Sequence, residues 1–229
     1  MQTELDFRGW GGRRAGAGRK RSRDSGMPHL RRAEVAARHP IHATVRVGKG
    51  CWNLRSHRAL RVLEGAFLAA RDRFGLRLVH YSVQGNHLHL IVEAGGKESL
   101  ARGMKGLEVR MARALNQMMG RKGPVFADRY HAHVLKSPRE TARAMRYVLT
   151  NFAHHAQAWG ARLRATFIDP FSSVRYLAAR PGPGAPVAGA QTWLLRVGWL
   201  DFGSSYPSQG VSSSQRPGAG SGTLPLPAR

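Results

Sequence analysis

The stretch from Leu76 to Glu93 constrains the fold more than any other part of this chain. Leu76-Arg77-Leu78-Val79-His80-Tyr81-Ser82-Val83 alternates, breaks at Gln84-Gly85-Asn86, and resumes as His87-Leu88-His89-Leu90-Ile91-Val92-Glu93. Two such runs flanking a short turn predict a β-hairpin, because period-two patterning suits a strand with one buried face. A lone hairpin is marginal in water, so further elements must cover it. Ile41-His42-Ala43-Thr44-Val45-Arg46-Val47 reads as another strand, and Val125 to Leu135 as a fourth. Helices are predicted between them. Leu60, Leu63, Phe67 and Leu68 follow Ser56 at helical spacing, and Leu100, Met104, Leu107, Met111 and Leu115 recur every three or four residues before Gly120. Ser137-Pro138-Arg139-Glu140 is a capping box with proline at the first helical position, which predicts a helix from there to about Gln157. The order strand, helix, hairpin, helix, strand, helix implies an α+β fold with helices over an antiparallel sheet.

Composition divides the chain into three parts. Residues 1–38 set Arg13, Arg14, Arg19, Lys20 and Arg21 among glycines with little apolar content, which predicts a flexible basic arm suited to phosphates. Residues 39–178 hold the patterned elements and form one domain. Residues 179–229 are rich in Pro, Gly and Ser and read as a linker and largely disordered tail, with Trp193 to Trp199 as one candidate short helix.

The formal charge of +24, from 37 Lys+Arg against 13 Asp+Glu, is the footprint of a polyanion binder, and nucleic acid is the expected partner. Arg outnumbers Lys by 31 to 6, which suits bidentate phosphate contacts, although a GC-rich genome produces the same bias. No apolar run approaches the roughly 18 residues needed to span a bilayer, so a membrane partner is not expected and the chain reads as cytoplasmic and nucleoid-associated. Cys51 is the only cysteine, which excludes an intrachain disulfide or a cysteine-based zinc cluster.

His87 and His89 fall on one face of their strand, where two imidazoles can grip one metal ion. The pattern alone is common: His131-Ala132-His133 repeats it, with Arg129 and Tyr130 beside it favouring a phosphate-facing or packing role. On the capped helix, Met145, Val148, Leu149, Phe152 and Ala156 form an apolar stripe. Tyr147 falls on the opposite side, with Asn151 one turn further along. Tyr147 is thus either ordinary surface or exposed for a purpose, whereas Tyr81 and Tyr130 lie on strands, where packing explains them. A metal at His87 and His89 that polarises a phosphate, a phenol that attacks phosphorus, and an amide oxygen from Asn151 would make one phosphoryl-transfer site. Such a donor set suits Mn²⁺, and Mg²⁺ if waters and phosphate complete the shell. Arg143 and Arg146 share the Tyr147 helix and face either DNA or solvent.

These residues resemble the single-tyrosine HUH transposases, particularly the REP-associated tyrosine transposase group. Gly85-Asn86-His87-Leu88-His89 is similar to that family's Pro-Asn-His-hydrophobic-His strand, with Gly85 in place of the usual proline. Gly123-Pro124-Val125-Phe126-Ala127-Asp128-Arg129-Tyr130 is similar to its hairpin segment, Tyr147-Val148-Leu149-Thr150-Asn151 to its Tyr-hydrophobic-x-x-Asn helix, and Asp169-Pro170-Phe171-Ser172-Ser173 to its closing segment. The resemblance spans roughly Pro40 to Tyr176; the tail after Trp199 departs from it. It implies a ferredoxin-like antiparallel sheet of HUH endonuclease type, with helices packed on one face. It also implies His87, His89 and Asn151 as ligands of Mg²⁺ or Mn²⁺, and Tyr147 as a nucleophile that cleaves single-stranded, hairpin-forming DNA to leave a 5′-phosphotyrosine. Such a protein would work as a monomer or homodimer.

Two other functions fit parts of the sequence. A domesticated, non-catalytic protein that recognises palindromic repeats would share the charge and the arm, yet would have no use for a metal pair and a surface tyrosine together. A histidine-based phosphoesterase would need no tyrosine.

Overall fold

The computed structural model describes residues 34–158, 160, 162, 163, 167–177 and 181–202, apart from the side chains of 154, 155, 157 and 158. Arg13, Arg14, Arg19, Lys20 and Arg21, with nearly all of the basic arm and the tail beyond Phe202, lie outside the described residues. In chain order the elements are β1 (Ile41–Arg46), α1 (His57–Ala70), β2 (Asp72–Arg73), β3 (Leu76–Val83), β4 (His87–Ala94), α2 (Lys97–Met119), β5 (His131–Val134) and α3 (Pro138–Ala158). Single turns of 3₁₀ or π helix follow at Ser173–Tyr176, Leu194–Gly198 and Leu200–Phe202. Among the described residues no helix is long and apolar enough to cross a membrane.

The sheet is antiparallel throughout, in the order β2-β3-β4-β1-β5. The expected α+β architecture and the hairpin around Gln84-Gly85-Asn86 are present. The fourth strand is shorter than the pattern suggests. Only His131–Val134 pairs with β1, while Phe126 makes an isolated bridge to Val47 and the Asp128 side chain accepts the Arg129 N–H, turning the backbone off the ladder. The two-residue strand β2 carries no periodic signal and was not foreseen.

Alternation sorts the side chains onto two faces. Ile41, Ala43 and Val45 of β1 and Leu88, Leu90 and Val92 of β4 pack with Leu60, Leu63 and Phe67 of α1 and with Leu100, Met104 and Leu107 of α2. The other face turns Ile91 toward Met145, Val148 and Leu149 of α3. The expected placement of helices on one face therefore describes α1 and α2; α3 covers the opposite face and makes the sheet a middle layer. Residues 181–202, whose composition suggests linker and tail, add Val187 to the first core and Leu195 and Trp199 to the second.

Local chemistry explains each helix boundary. Ser56 accepts the Ala59 N–H and starts α1, and Gly120, at φ 63°, ends α2 in the left-handed conformation that favours glycine. Ser137 accepts the Glu140 N–H at the start of α3, and the Glu140 carboxylate reaches back to the Lys136 N–H at 2.7 Å. At Gly103 a Cβ would stand 2.2 Å from the Leu76 Cβ, so only glycine lets α2 lie this close to β3.

Candidate active site

The central position of β1 assembles the site. Its register sets Thr44 opposite both His89 of β4 and His131 of β5, and His42 opposite Ile91 and His133. The even-numbered residues of β1 thus share with His87 and His89 the sheet face that carries α3.

The Nε2 atoms of His87 and His89 are 3.0 Å apart, with their rings nearly perpendicular at 87°. Two ligand atoms at about 2.1 Å from one ion, at right angles to each other, would lie about 3.0 Å apart. An imidazole that binds a cation through Nε2 carries its proton on Nδ1 and donates it to an orienting partner. Both rings have such partners. His87 Nδ1 lies 2.7 Å from Asn86 Oδ1, and His89 Nδ1 lies 3.2 Å from Thr44 Oγ1 and 3.1 Å from His42 Nε2. Burial, followed by the neighbouring His133 and His131, pushes the His42 pKa down to about 4, so that ring is neutral near pH 7 and can accept the His89 proton.

Asn151 supplies a third candidate donor. It is 2% exposed, and neither its Oδ1 nor its Nδ2 has a hydrogen-bond partner. A buried amide without partners is costly, and an ion would relieve that cost through the carbonyl oxygen. No cluster of three His, Cys, Asp or Glu side chains suited to a metal occurs among the described residues. An ion held by His87 and His89 would thus depend on an amide and on substrate or water oxygens, a set that suits a hard divalent cation.

Tyr147 stands beside this group. Its side chain is on the exposed side of α3, with the residue 45% accessible, and its ring meets His89 edge-on at 4.9 Å between centroids and His42 at 5.9 Å. Tyr81, by contrast, is fully buried against Phe67 and hydrogen-bonded to Glu64, and Tyr130 is a core residue. The competing pair His131 and His133 faces the same side, one strand beyond His42, but His133 Nε2 contacts the Glu140 carboxylate at 2.5 Å.

Arg55 ties β3 to the end of α3, and no local pattern marks it as functional. Its guanidinium donates to both Asp169 carboxylate oxygens at 2.8 and 3.0 Å and to the Val83 carbonyl at 2.9 Å. It also lies 3.6 Å from the ring centre of Phe152 and 4.5 Å from that of Phe171. Asp169 and Phe171 are conspicuous in the sequence, but Arg55 is 114 residues from Asp169. Of the arginines expected at DNA, Arg129 is exposed in the loop before β5, Arg143 is exposed one turn before Tyr147, and Arg146 is exposed with Nη2 3.4 Å from the Phe202 carbonyl.

The chain is similar to known proteins in sequence and in fold. The family model described as "Transposase IS200 like" matches residues 53–151, a span that contains His87, His89, Tyr147 and Asn151. No curated protein matches the sequence. Among solved structures, a REP-associated tyrosine transposase bound to a REP hairpin superimposes with a TM-score of 0.53 at 15% identity, covering 67% of this chain and 87% of that one. A transposase candidate from Deinococcus radiodurans aligns with a TM-score of 0.35 at 16% identity, over 60% of this chain and 98% of that one. Residues 53–151 are thus similar in sequence to the IS200-like transposases, and the fold built around them is similar to that of the solved REP-associated tyrosine transposase.

Proposed function

We propose that this protein cleaves and rejoins single-stranded DNA through Tyr147, at sites set by a hairpin or palindromic repeat. The observation that carries this reading is the half-exposed Tyr147 phenol beside His89, whose Nε2 converges with that of His87. His87, His89 and Asn151 would hold Mg²⁺ or Mn²⁺, and the bound ion would polarise a phosphate oxygen.

The Tyr147 hydroxyl attacks phosphorus, a Tyr147–O–P bond forms and the bond from phosphorus to the 3′ oxygen breaks. The phenolic proton is lost from Tyr147, and the departing 3′ oxygen gains one. The products are a 5′-phosphotyrosine and a free 3′-OH, and attack by a 3′-OH reverses the step with no external energy source. Thr44, His42 and Asn86, each at an Nδ1 atom, would keep both imidazoles in the tautomer that leaves Nε2 to hold the ion. Arg143, one turn from Tyr147, is placed to meet the next phosphate along the strand. The REP hairpin in the solved relative supports hairpin DNA as the substrate class. Tyr147, His87, His89 and Asn151 of one chain would make the site in a monomer or within each subunit of a homodimer.

The test uses 3′-labelled hairpin oligonucleotides copied from palindromes flanking the gene. Wild-type protein with Mg²⁺ or Mn²⁺ should give an SDS-stable protein–DNA adduct. Tyr147→Phe should give none while binding the hairpin within about twofold of wild type, and His87→Ala/His89→Ala or excess chelator should also abolish the adduct. An undiminished adduct in Tyr147→Phe removes that residue from the mechanism.

A further inference from the structure

Phe74 occupies an unusual place. With Gly75 it forms the two-residue turn between β2 and β3, and both residues have positive φ, 58° and 73°. That turn favours Asn or Gly at its first position, so a phenylalanine there holds its ring at the sheet edge against local preference. The residue is 46% exposed. Its ring rests against Gly106 of α2, where an added Cβ would come 3.2 Å from Cε2 and the ring would have to shift by a few tenths of an ångström.

Cations surround it. Arg73 Cζ is 5.7 Å and Arg102 Cζ 5.6 Å from the ring centre. Phe74, Arg102, Lys105, Val109 and Arg110 line an open hollow of about 330 Å³. Of the nearby acids, Asp72 is paired with Arg77, and Glu98 lies one turn before Arg102 in the first turn of α2. Positive charge therefore dominates the rim. An exposed aromatic face ringed by guanidinium and ammonium groups is the arrangement that binds a stacked base with a phosphate on each side. α2 packs on the sheet face away from Tyr147, so this hollow is separate from the candidate active site.

We infer that Phe74 with Arg73, Arg102, Lys105 and Arg110 forms a second contact for single-stranded DNA, which holds an unpaired base and its flanking phosphates outside the segment being cut. This inference rests on the DNA-cleaving role proposed above and deepens it, since it gives the protein a grip on its substrate independent of the scissile phosphate.

The full chain is titrated with 3′-fluorescein-(dT)20 from 50 to 300 mM NaCl, and adduct formation is followed separately at saturating hairpin oligonucleotide. Phe74→Asn, which tolerates positive φ, should weaken (dT)20 binding about tenfold without lowering the melting temperature, and Phe74→Trp should keep wild-type affinity. Arg102→Gln/Lys105→Gln should reduce the slope of log K against log salt by about 1. Ultraviolet crosslinking of a 5-iododeoxyuridine oligonucleotide should label the peptide that contains Phe74. Binding within twofold of wild type in Phe74→Asn, together with an unchanged salt slope, overturns the proposal even if the Tyr147 adduct still forms. Phe74-dependent binding without any adduct supports this surface and rejects the catalytic reading instead.

Discussion

Ser173 Oγ accepts the Tyr81 backbone N–H at 3.0 Å and lies 3.1 Å from His80 Nδ1, with which it shares a hydrogen bond. Burial lowers the His80 pKa from 6.5 to about 4 and so keeps the ring neutral near pH 7. The unfolded chain then takes up a proton at a higher pH than the folded one. Stability from this residue is complete above about pH 6.5 and is lost as pH falls toward 4. Between pH 7.5 and pH 5 this residue's share of the loss should be about 2 kcal/mol, read as a lower urea midpoint, and His80→Gln should remove that share while leaving the part due to His42. A midpoint equal at both pH values would contradict the assignment. Single residues were legible wherever one element decided their placement: His87 and His89 by alternation, Tyr147 and Asn151 by spacing along a helix. His42 and Thr44 share the polar phase of their strand, but what they touch depends on β1 lying between β4 and β5, and no local pattern reveals strand order. Arg55 escaped notice for the same reason, since its partners lie at distant points of the chain.

At the scale of elements, α2 lies against β3 at Gly103 so closely that an added Cβ would stand 2.2 Å from the Leu76 Cβ. Gly103→Ala should destabilise the protein by about 2 kcal/mol despite the better helix propensity of alanine, because the new methyl meets the Leu76 Cβ and α2 must move. Chemical denaturation checks this, and a stabilised variant would show that α2 slides freely on the sheet. The helices were readable because their stripes and caps are local; Ser137 and Glu140 perform the capping that their spacing implies. The strands were less complete. β3 changes phase at a bulge between Leu78 and His80, which puts Val79 in the α3 core and leaves Tyr81 with α1, a shift that simple alternation hides. The segment Val125–Leu135 kept its apolar pattern but lost its ladder to the turn at Asp128.

For the whole molecule, the sheet separates a face of packed helices, α1 and α2, from a face that carries histidines, α3 and the stretch from Ala190 to Trp199. Glu93, buried on that second face, accepts the backbone N–H groups of Gln191 and Thr192 at 2.9 and 2.7 Å and so anchors the segment. Trp199→Ala should cost about 3 kcal/mol, since it empties a site packed with Ile91, Leu149 and Leu195. A loss below about 0.5 kcal/mol in a urea titration would mean that the segment is only laid on the surface. Composition suggested a linker here because proline and glycine dominate it, while the carboxylate that anchors it lies 98 residues away. The charge of +24 acts at this scale too: hairpin affinity should fall at least a hundredfold between 50 and 200 mM salt, and a flat response would argue against a polyanion partner. β1 also has a consequence for how the protein comes into being. His42 and His89 are 47 residues apart, and Tyr147 follows His89 by a helix, a strand and nearly half of a further helix. No ribosome-bound fragment that ends before α3 contains Tyr147, and contacts of such long range form late in folding. The DNA nicking proposed for Tyr147 would then be withheld from nascent and half-folded chains and would emerge only with the finished sheet.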